Sequence, residues 1–300
     1  MFVLKSISKD RIWGTPRLID YGATSDSVGS VYSFSSIDEI NTIIENGVYK
    51  GKSIGSVIKT NPTLFGLKEG PYPLIISFTG ADQPLSIQVH PTDDDAQKYS
   101  SYPYGKTESW YFLTEPSNHQ IIGGSKKHLN KEQIKKLSKN GKYEEFVEYV
   151  EVRKNDLITI HAGTLHALTP GSLVYEIQQA NDTTFRFYDY DRVDVHNKKR
   201  PLQLEEALRN LIINKSVVRE DFSNYTYEGK EYSLRKIDIK DYVEYTNKNS
   251  IASIISVLFG RIIYRNITME QGKSGLLLPN ETITLKGKGS IMIATPKIYW

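Results

Sequence analysis

The chain has 300 residues, 39% of them hydrophobic and 24% charged, with a net charge of +3 and no cysteine. A chain this long can bury a large core or divide into two domains. The composition excludes disulfides and thiolate metal sites, and with no basic stripe interleaved with aromatics, nucleic acid is not an expected partner.

The first residues, MFVLKSISKDRIWG, contain no long apolar run, so no secretory signal is expected. No window approaches ~20 consecutive apolar residues, so no membrane span is expected and the cytoplasm is the expected compartment. Going along the chain, strand-like runs come first: SVGSVYSFSS, PYPLIISFTG, PLSIQVH, ESWYFLT, HQIIGG, DLITIHAG, SLVYEIQQ and TTFRFYDY. Gly, Pro, Asn and Asp punctuate them, and many short strands at this spacing predict a β-sandwich or barrel.

Helical patches interrupt the strands. SIDEINTIIENG predicts one helix and KSIGSVIKTNPTLFG a second, together an insertion over roughly 36–65. A further insertion over roughly 129–150 begins with Asn130 as N-cap and Gln133 three residues on, a capping box. RPLQLEEALRNLIINK places Pro201 near a helix start and Leu204, Leu208, Leu211 and Ile212 on one face, a helical bridge over 201–222. From 223 to 300 strands resume, and this stretch holds no histidine. It reads as a second, smaller β-unit without histidine metal ligands, leaving 1–200 as the unit that carries the chemistry.

Alternation in LSIQVH puts Leu85, Ile87 and Val89 on one face and Ser86, Gln88 and His90 on the other. The plain reading of this polar face is a half-exposed strand. In KTESWYFL, Glu108 shares a face with Trp110 and Phe112, which is costly for a carboxylate unless it is paired or bound to a metal. In HAGTLHAL, Gly163 supplies a tight turn, and His166 lies between Leu165 and Leu168, where a solvated imidazole is out of place. Glu176 shares a face with Val174 and Gln178, and Arg186 lies between Phe185 and Phe187; both would point to water unless their faces line a barrel. Two histidines, a carboxylate and an amide make a mixed N/O ligand set that suits zinc and also admits iron or manganese.

These motifs together resemble the type I mannose-6-phosphate isomerases (phosphomannose isomerases) in their short prokaryotic form, members of the cupin superfamily. RIWG, NGVYKGKSIGSVIKTNPTLFG, LSIQVHP, GKTESWYFL, AGTLHAL, YEIQQANDTTFRFYDYDR and PLQLEEAL follow in family order over most of the first two-thirds. The resemblance implies a mainly β fold, a cupin-type barrel or jelly roll with helical insertions and a second, smaller β-unit. It implies one zinc per chain, with Gln88, His90, Glu108 and His166 as ligands. It also implies Arg186, Lys106 and Glu176 as catalytic residues and Ser86, Lys106, Asp182 and Trp13 as substrate-binding residues. The implied reaction is aldose–ketose isomerisation of a small sugar phosphate, mannose 6-phosphate to fructose 6-phosphate, through an enediol.

Two positions depart from the family pattern. Ser30 and Ser77 stand where a Glu and a Lys are common. Three readings follow: a zinc sugar-phosphate isomerase acting on this or another sugar phosphate, a non-catalytic sugar-phosphate-binding cupin, and an iron-dependent cupin oxygenase.

Overall fold

The structure is a computed structural model, and it describes residues 1–100, 102–193 and 197–298. His196 lies outside the described residues. The chain forms two compact units. One combines Met1–Arg11, Thr15–Thr79 and the chain from Asp221 onward; the other is Ile12–Gly14 with Gly80–Glu220. This division differs from a cut near 200, and strand pairing is the reason. The N-terminal strand Phe2–Lys5 pairs antiparallel with Ser274–Leu277, so the first residues complete a sheet made mostly by the last eighty.

In that first unit the long strands Ser253–Tyr264 and Thr282–Pro296 form the centre of the sheet, flanked by Tyr232–Ile239 and Ser274–Leu277. Their buried face includes Ile255, Val257, Ile262, Leu285, Ile291 and Ile293. The histidine-free stretch is therefore all-β apart from its turns, as its alternation predicts. Strands Val28–Phe34 and Leu74–Gly80 also pair here. Ser30 and Ser77, the two departures from the family pattern, are buried on them and both reach the Thr79 hydroxyl, at 3.3 and 3.1 Å. A set of neutral hydroxyls thus fills this place.

The second unit is a sandwich of antiparallel sheets. One layer runs Val218–Glu220, Leu157–Ile160, Glu108–Thr114, Leu173–Gln179. In the other, Phe185–Tyr188 pairs with Ile87–Val89, and Gln120–Ser125 pairs with Val147–Glu151. His166 and Ala167 join these two pairs, His166 bridging to Gln88 and Ala167 to Ile122. Trp110, Phe112, Ile158, Ile160 and Val174 from the first layer meet Ile87, Val89, Ile121, Ile122 and Phe187 in one core. No helix among the described residues is long and apolar enough to cross a membrane.

The helical insertions are smaller than their sequences suggest. SIDEINTIIENG is not a helix. It forms a 3₁₀ turn at Asp38–Ile40 and a short strand, Ile43–Ile44, because its β-branched pair finds Leu4 and Lys5 to bond. KSIGSVIKTNPTLFG gives the helix Ile54–Thr60, capped by the Ser53 hydroxyl and ended before Pro62. The capping box at Asn130 and Gln133 forms and starts the helix Lys131–Lys139. That helix stops at Asn140, and Val147–Glu151 becomes a strand. In the bridge, Pro201 precedes the helix Leu204–Asn210 by three residues; Leu208 and Leu211 are buried while Ile212 stays exposed.

Candidate metal centre

His90, Glu108 and His166 converge in the core of the second unit, all three buried, with one ligand atom of each within 4.8 Å of the others. Glu108 comes from one sheet and the histidines from the other. Glu108 opens its strand, opposite Gln178 and Ile160. Two close approaches bring the chain to it. Gly105 packs against the Pro91 carbonyl with no room for a Cβ, while the Lys106 N–H donates to that carbonyl at 3.0 Å. The Thr107 N–H donates to Gln179 Oε1 at 2.9 Å. His166 is delivered by the turn at Gly163, whose φ of +83° and lack of space beside Ile212 and the Asn210 carbonyl both require glycine. The Gly163 N–H donates to the His90 carbonyl at 3.1 Å and ties the two ligand segments together.

Both imidazoles are oriented by backbone carbonyls. His90 Nδ1 lies 3.0 Å from the Thr183 oxygen and His166 Nδ1 lies 2.9 Å from the Thr164 oxygen. A carbonyl only accepts, so each Nδ1 carries the proton and each Nε2 presents a lone pair. Those lone pairs face a carboxylate: His90 Nε2 is 3.1 Å and His166 Nε2 3.5 Å from the two Glu108 oxygens. His90 Nε2 and both Glu108 oxygens are buried without a hydrogen-bond partner. Burial, and then the Lys106 charge, lower the His90 pKa to about 4, so protonation does not resolve the conflict at neutral pH. Burial pushes the Glu108 carboxyl up, yet His90, Lys106 and His166 outweigh it and hold Glu108 below the ordinary carboxylate range.

Lone pairs packed against lone pairs in a dry core repel one another unless a cation lies between them. Ligand atoms at ~2.1 Å from a tetrahedral zinc sit about 3.4 Å apart, close to the spacings seen. The residues present therefore fit a divalent metal, and second-sphere carbonyls on Nδ1 are what such histidines usually have. Gln88 lies beside the three: its Nε2 is 3.4 Å from His166 Nε2, and its Oε1 accepts from the Ser86 hydroxyl at 3.2 Å. Lys106 Nζ pairs with Glu108 at 3.5 Å and is itself buried.

The register extends the cluster. Arg186 lies opposite Gln88, and Gln88 lies opposite His166, so the three share a face. Arg186 is held by Gln203, whose Oε1 accepts from the Arg186 N–H at 3.2 Å and from Nη1 at 3.4 Å. Glu176 lies opposite Trp110 on the Glu108 face and accepts from the indole Nε1 at 3.3 Å. The same indole packs edge-on against His166, with ring centroids 5.6 Å apart.

The remaining sequence candidates lie elsewhere. Asp182 is exposed. Trp13 is buried in the core with its ring under the Arg200 guanidinium, 4.7 Å away, and its carbonyl accepts from the Asp82 N–H. His161 is half-buried outside the cluster, His128 is exposed, and His119 pairs with Glu115. Sequence reasoning missed Gln203 and the part played by Trp110. Trp110 was accessible through its parity with Glu108; nothing in the pattern marks Gln203.

No family model matches the chain. It is 31% identical to a probable mannose-6-phosphate isomerase, GmuF, of Bacillus subtilis, over 98% of both chains. It is 36% identical to the mannose-6-phosphate isomerase ManA of the same organism, over 68% of this chain and 65% of that relative. The crystal structure of a mannose 6-phosphate isomerase from Bacillus subtilis superposes with a TM-score of 0.86 at 28% identity, covering 98% of this chain and 99% of that one. With a relative above 30% identity matched end to end, and with the fold shared throughout, the chain belongs to the mannose-6-phosphate isomerase family, isomerase enzymes of the cupin superfamily.

Proposed function

We propose that this chain interconverts mannose 6-phosphate and fructose 6-phosphate through an enediol, in the cytoplasm, with one zinc ion held by His90, Glu108 and His166 and with Gln88 as a fourth donor. The observation that carries the metal is the set of buried, mutually repelling lone pairs on His90 and Glu108. The bound ion supplies a Lewis acid for the charge that develops on the sugar oxygens. Arg186, on the face of Gln88 and His166, adds a planar cation for the same oxyanion. Lys106 offsets the negative charge of Glu108 and presents a point charge beside it. Glu176, steadied by the Trp110 indole, carries the proton between the two sugar carbons. Ser86 fixes the Gln88 amide. Asp182 and Trp13 are kept as outer substrate contacts on the family resemblance alone.

A coupled isomerase assay over several hexose and pentose phosphates, with and without chelator, tests the reading. Turnover of mannose 6-phosphate that chelator abolishes and zinc restores is the expected result. Binding of the sugar phosphate without turnover would make the chain a sugar-phosphate-binding cupin. Turnover that ignores chelator would overturn the metal assignment.

A further inference from the structure

We infer that Asp189 is the positioning residue of Arg186, acting through Arg200 and Gln203. The inference rests on the isomerase reading only for the role of Arg186. Asp189 is buried three residues beyond Arg186, just past the strand Phe185–Tyr188. Its carboxylate accepts from Arg200 Nε at 2.7 Å, from Arg200 Nη2 at 2.5 Å and from Arg192 Nη2 at 2.5 Å. Arg200 is stacked on the Trp13 ring, which fixes the plane of its guanidinium. Three residues after Arg200 comes Gln203, the residue that grips Arg186 through Oε1 and donates its own N–H to the Arg186 carbonyl at 3.1 Å.

The contacts close a ring: Arg186, its strand, Asp189, Arg200, Gln203, and back to Arg186. One carboxylate thus sets both the strand that carries Arg186 and the segment that holds its side chain. Two backbone features show that this strand end needs holding. The ladder with Ile87–Val89 shifts register between Arg186 and Tyr188, and a bulge decides where the neighbouring side chains point. Directly after Asp189, Tyr190 and Asp191 both adopt positive φ, 57° and 53°. Non-glycine residues in that region are strained and persist only where neighbouring contacts hold them. Arg192 returns from this turn to bond both Asp189 and the Pro84 carbonyl, two residues before Ser86. The network therefore registers the Arg186 strand against the strand that carries Gln88 and His90.

The experiment is a double-mutant cycle in the full-length, zinc-loaded protein, pairing Asp189→Asn with Arg186→Ala. Asp189→Asn should lower kcat for mannose 6-phosphate about 30-fold, as misplacement of a catalytic group by a fraction of an ångström does. In the Arg186→Ala background the same change should alter kcat less than twofold. Equal losses in both backgrounds would overturn the inference and leave Asp189 a stabilising residue only. Should Asp189→Asn fail to fold, Arg200→Lys, which keeps charge but loses the fork and the stack, enters the same cycle with the same expectation. A readout independent of activity is the NMR signal of the buried Arg186 Nε–H. Its exchange with water should accelerate at least tenfold in either variant, and an unchanged rate would refute the positioning role even if Arg186 proves non-catalytic.

Discussion

Glu108→Gln tests the electrostatics of the site without reference to catalysis. The amide has the shape of the carboxylate and removes its charge. In chelated protein, the wild-type Lys106–Glu108 pair at 3.5 Å is worth about 5 kcal/mol of Coulomb attraction at an effective dielectric of 20. Removing one partner leaves the Lys106 ammonium, 6% exposed, as a buried unpaired charge, which typically costs about 3–5 kcal/mol. The new amide returns something, since its N–H can donate to the His90 Nε2 lone pair for about 1 kcal/mol. The net expectation is a loss of about 3 kcal/mol, or roughly 6–12 °C in midpoint for a unit of this size. Adding Lys106→Met removes the stranded cation, so Glu108→Gln/Lys106→Met should recover most of that loss. Urea unfolding of both variants in excess chelator, with the wild type alongside, is the assay. If the double variant is no more stable than Glu108→Gln, Lys106 does not depend on Glu108 and the electrostatic account of the site fails.

Three further outcomes are expected. His166→Ala should reduce bound zinc from one per chain to nearly none, read by elemental analysis, and abolish isomerase activity; retention of both would disprove the ligand assignment. Trp110→Phe removes the donor to Glu176 while keeping a ring against His166, so kcat should fall about tenfold, near the ~1–1.5 kcal/mol of one hydrogen bond, with zinc content unchanged. In chelated protein, the folded state keeps His90 neutral down to about pH 4 while the unfolded chain protonates it near its ordinary 6.5. The unfolded state therefore binds more protons in that window, and stability should drop by about 3 kcal/mol as pH falls from 6.5 to 4. A flat profile across it in urea titrations would show that His90 titrates normally.

The strands and the polar faces of LSIQVH and KTESWYFL could be read from alternation because each lies within one short stretch, whereas the grouping of Gln88, His90, Glu108 and His166 as ligands came from the family resemblance. Ser86, Gln88 and His90 share a face by parity, as do Glu108 and Trp110, and the folded strands keep those faces. Gly163 was legible as a turn because a glycine stands between two strand-like runs, and its φ of +83° agrees. What was not legible depends on partners distant in the chain. Ile43 and Ile44 carry a helix-compatible pattern, and only pairing with Leu4 and Lys5 makes them a strand. The reach of the Thr183 and Thr164 carbonyls to the histidines has no side-chain signature at all. Gln203 looked like one residue of a helix start, and its grip on Arg186 comes from a segment that the fold brings back beside the strand Phe185–Tyr188.

The interleaving of the two units also bears on how the chain acquires its structure during synthesis. The unit that holds His90, Glu108 and His166 is almost continuous, Gly80–Glu220 with a three-residue contribution, so it can collapse as soon as that stretch has emerged from the ribosome. The other unit cannot. Phe2 waits for Leu276, and closing so long a loop defers that pairing until residue 276 has been made. Until then Leu4 and Lys5 can pair with Ile44 and Ile43, but the edge of that strand that takes Ser274–Leu277 stays open and Val3, fully buried at the end, lacks its cover. Nascent chains stalled before residue 274 should therefore contain a protease-resistant core near Gly80–Glu220 beside an N-terminal segment that chaperones still hold.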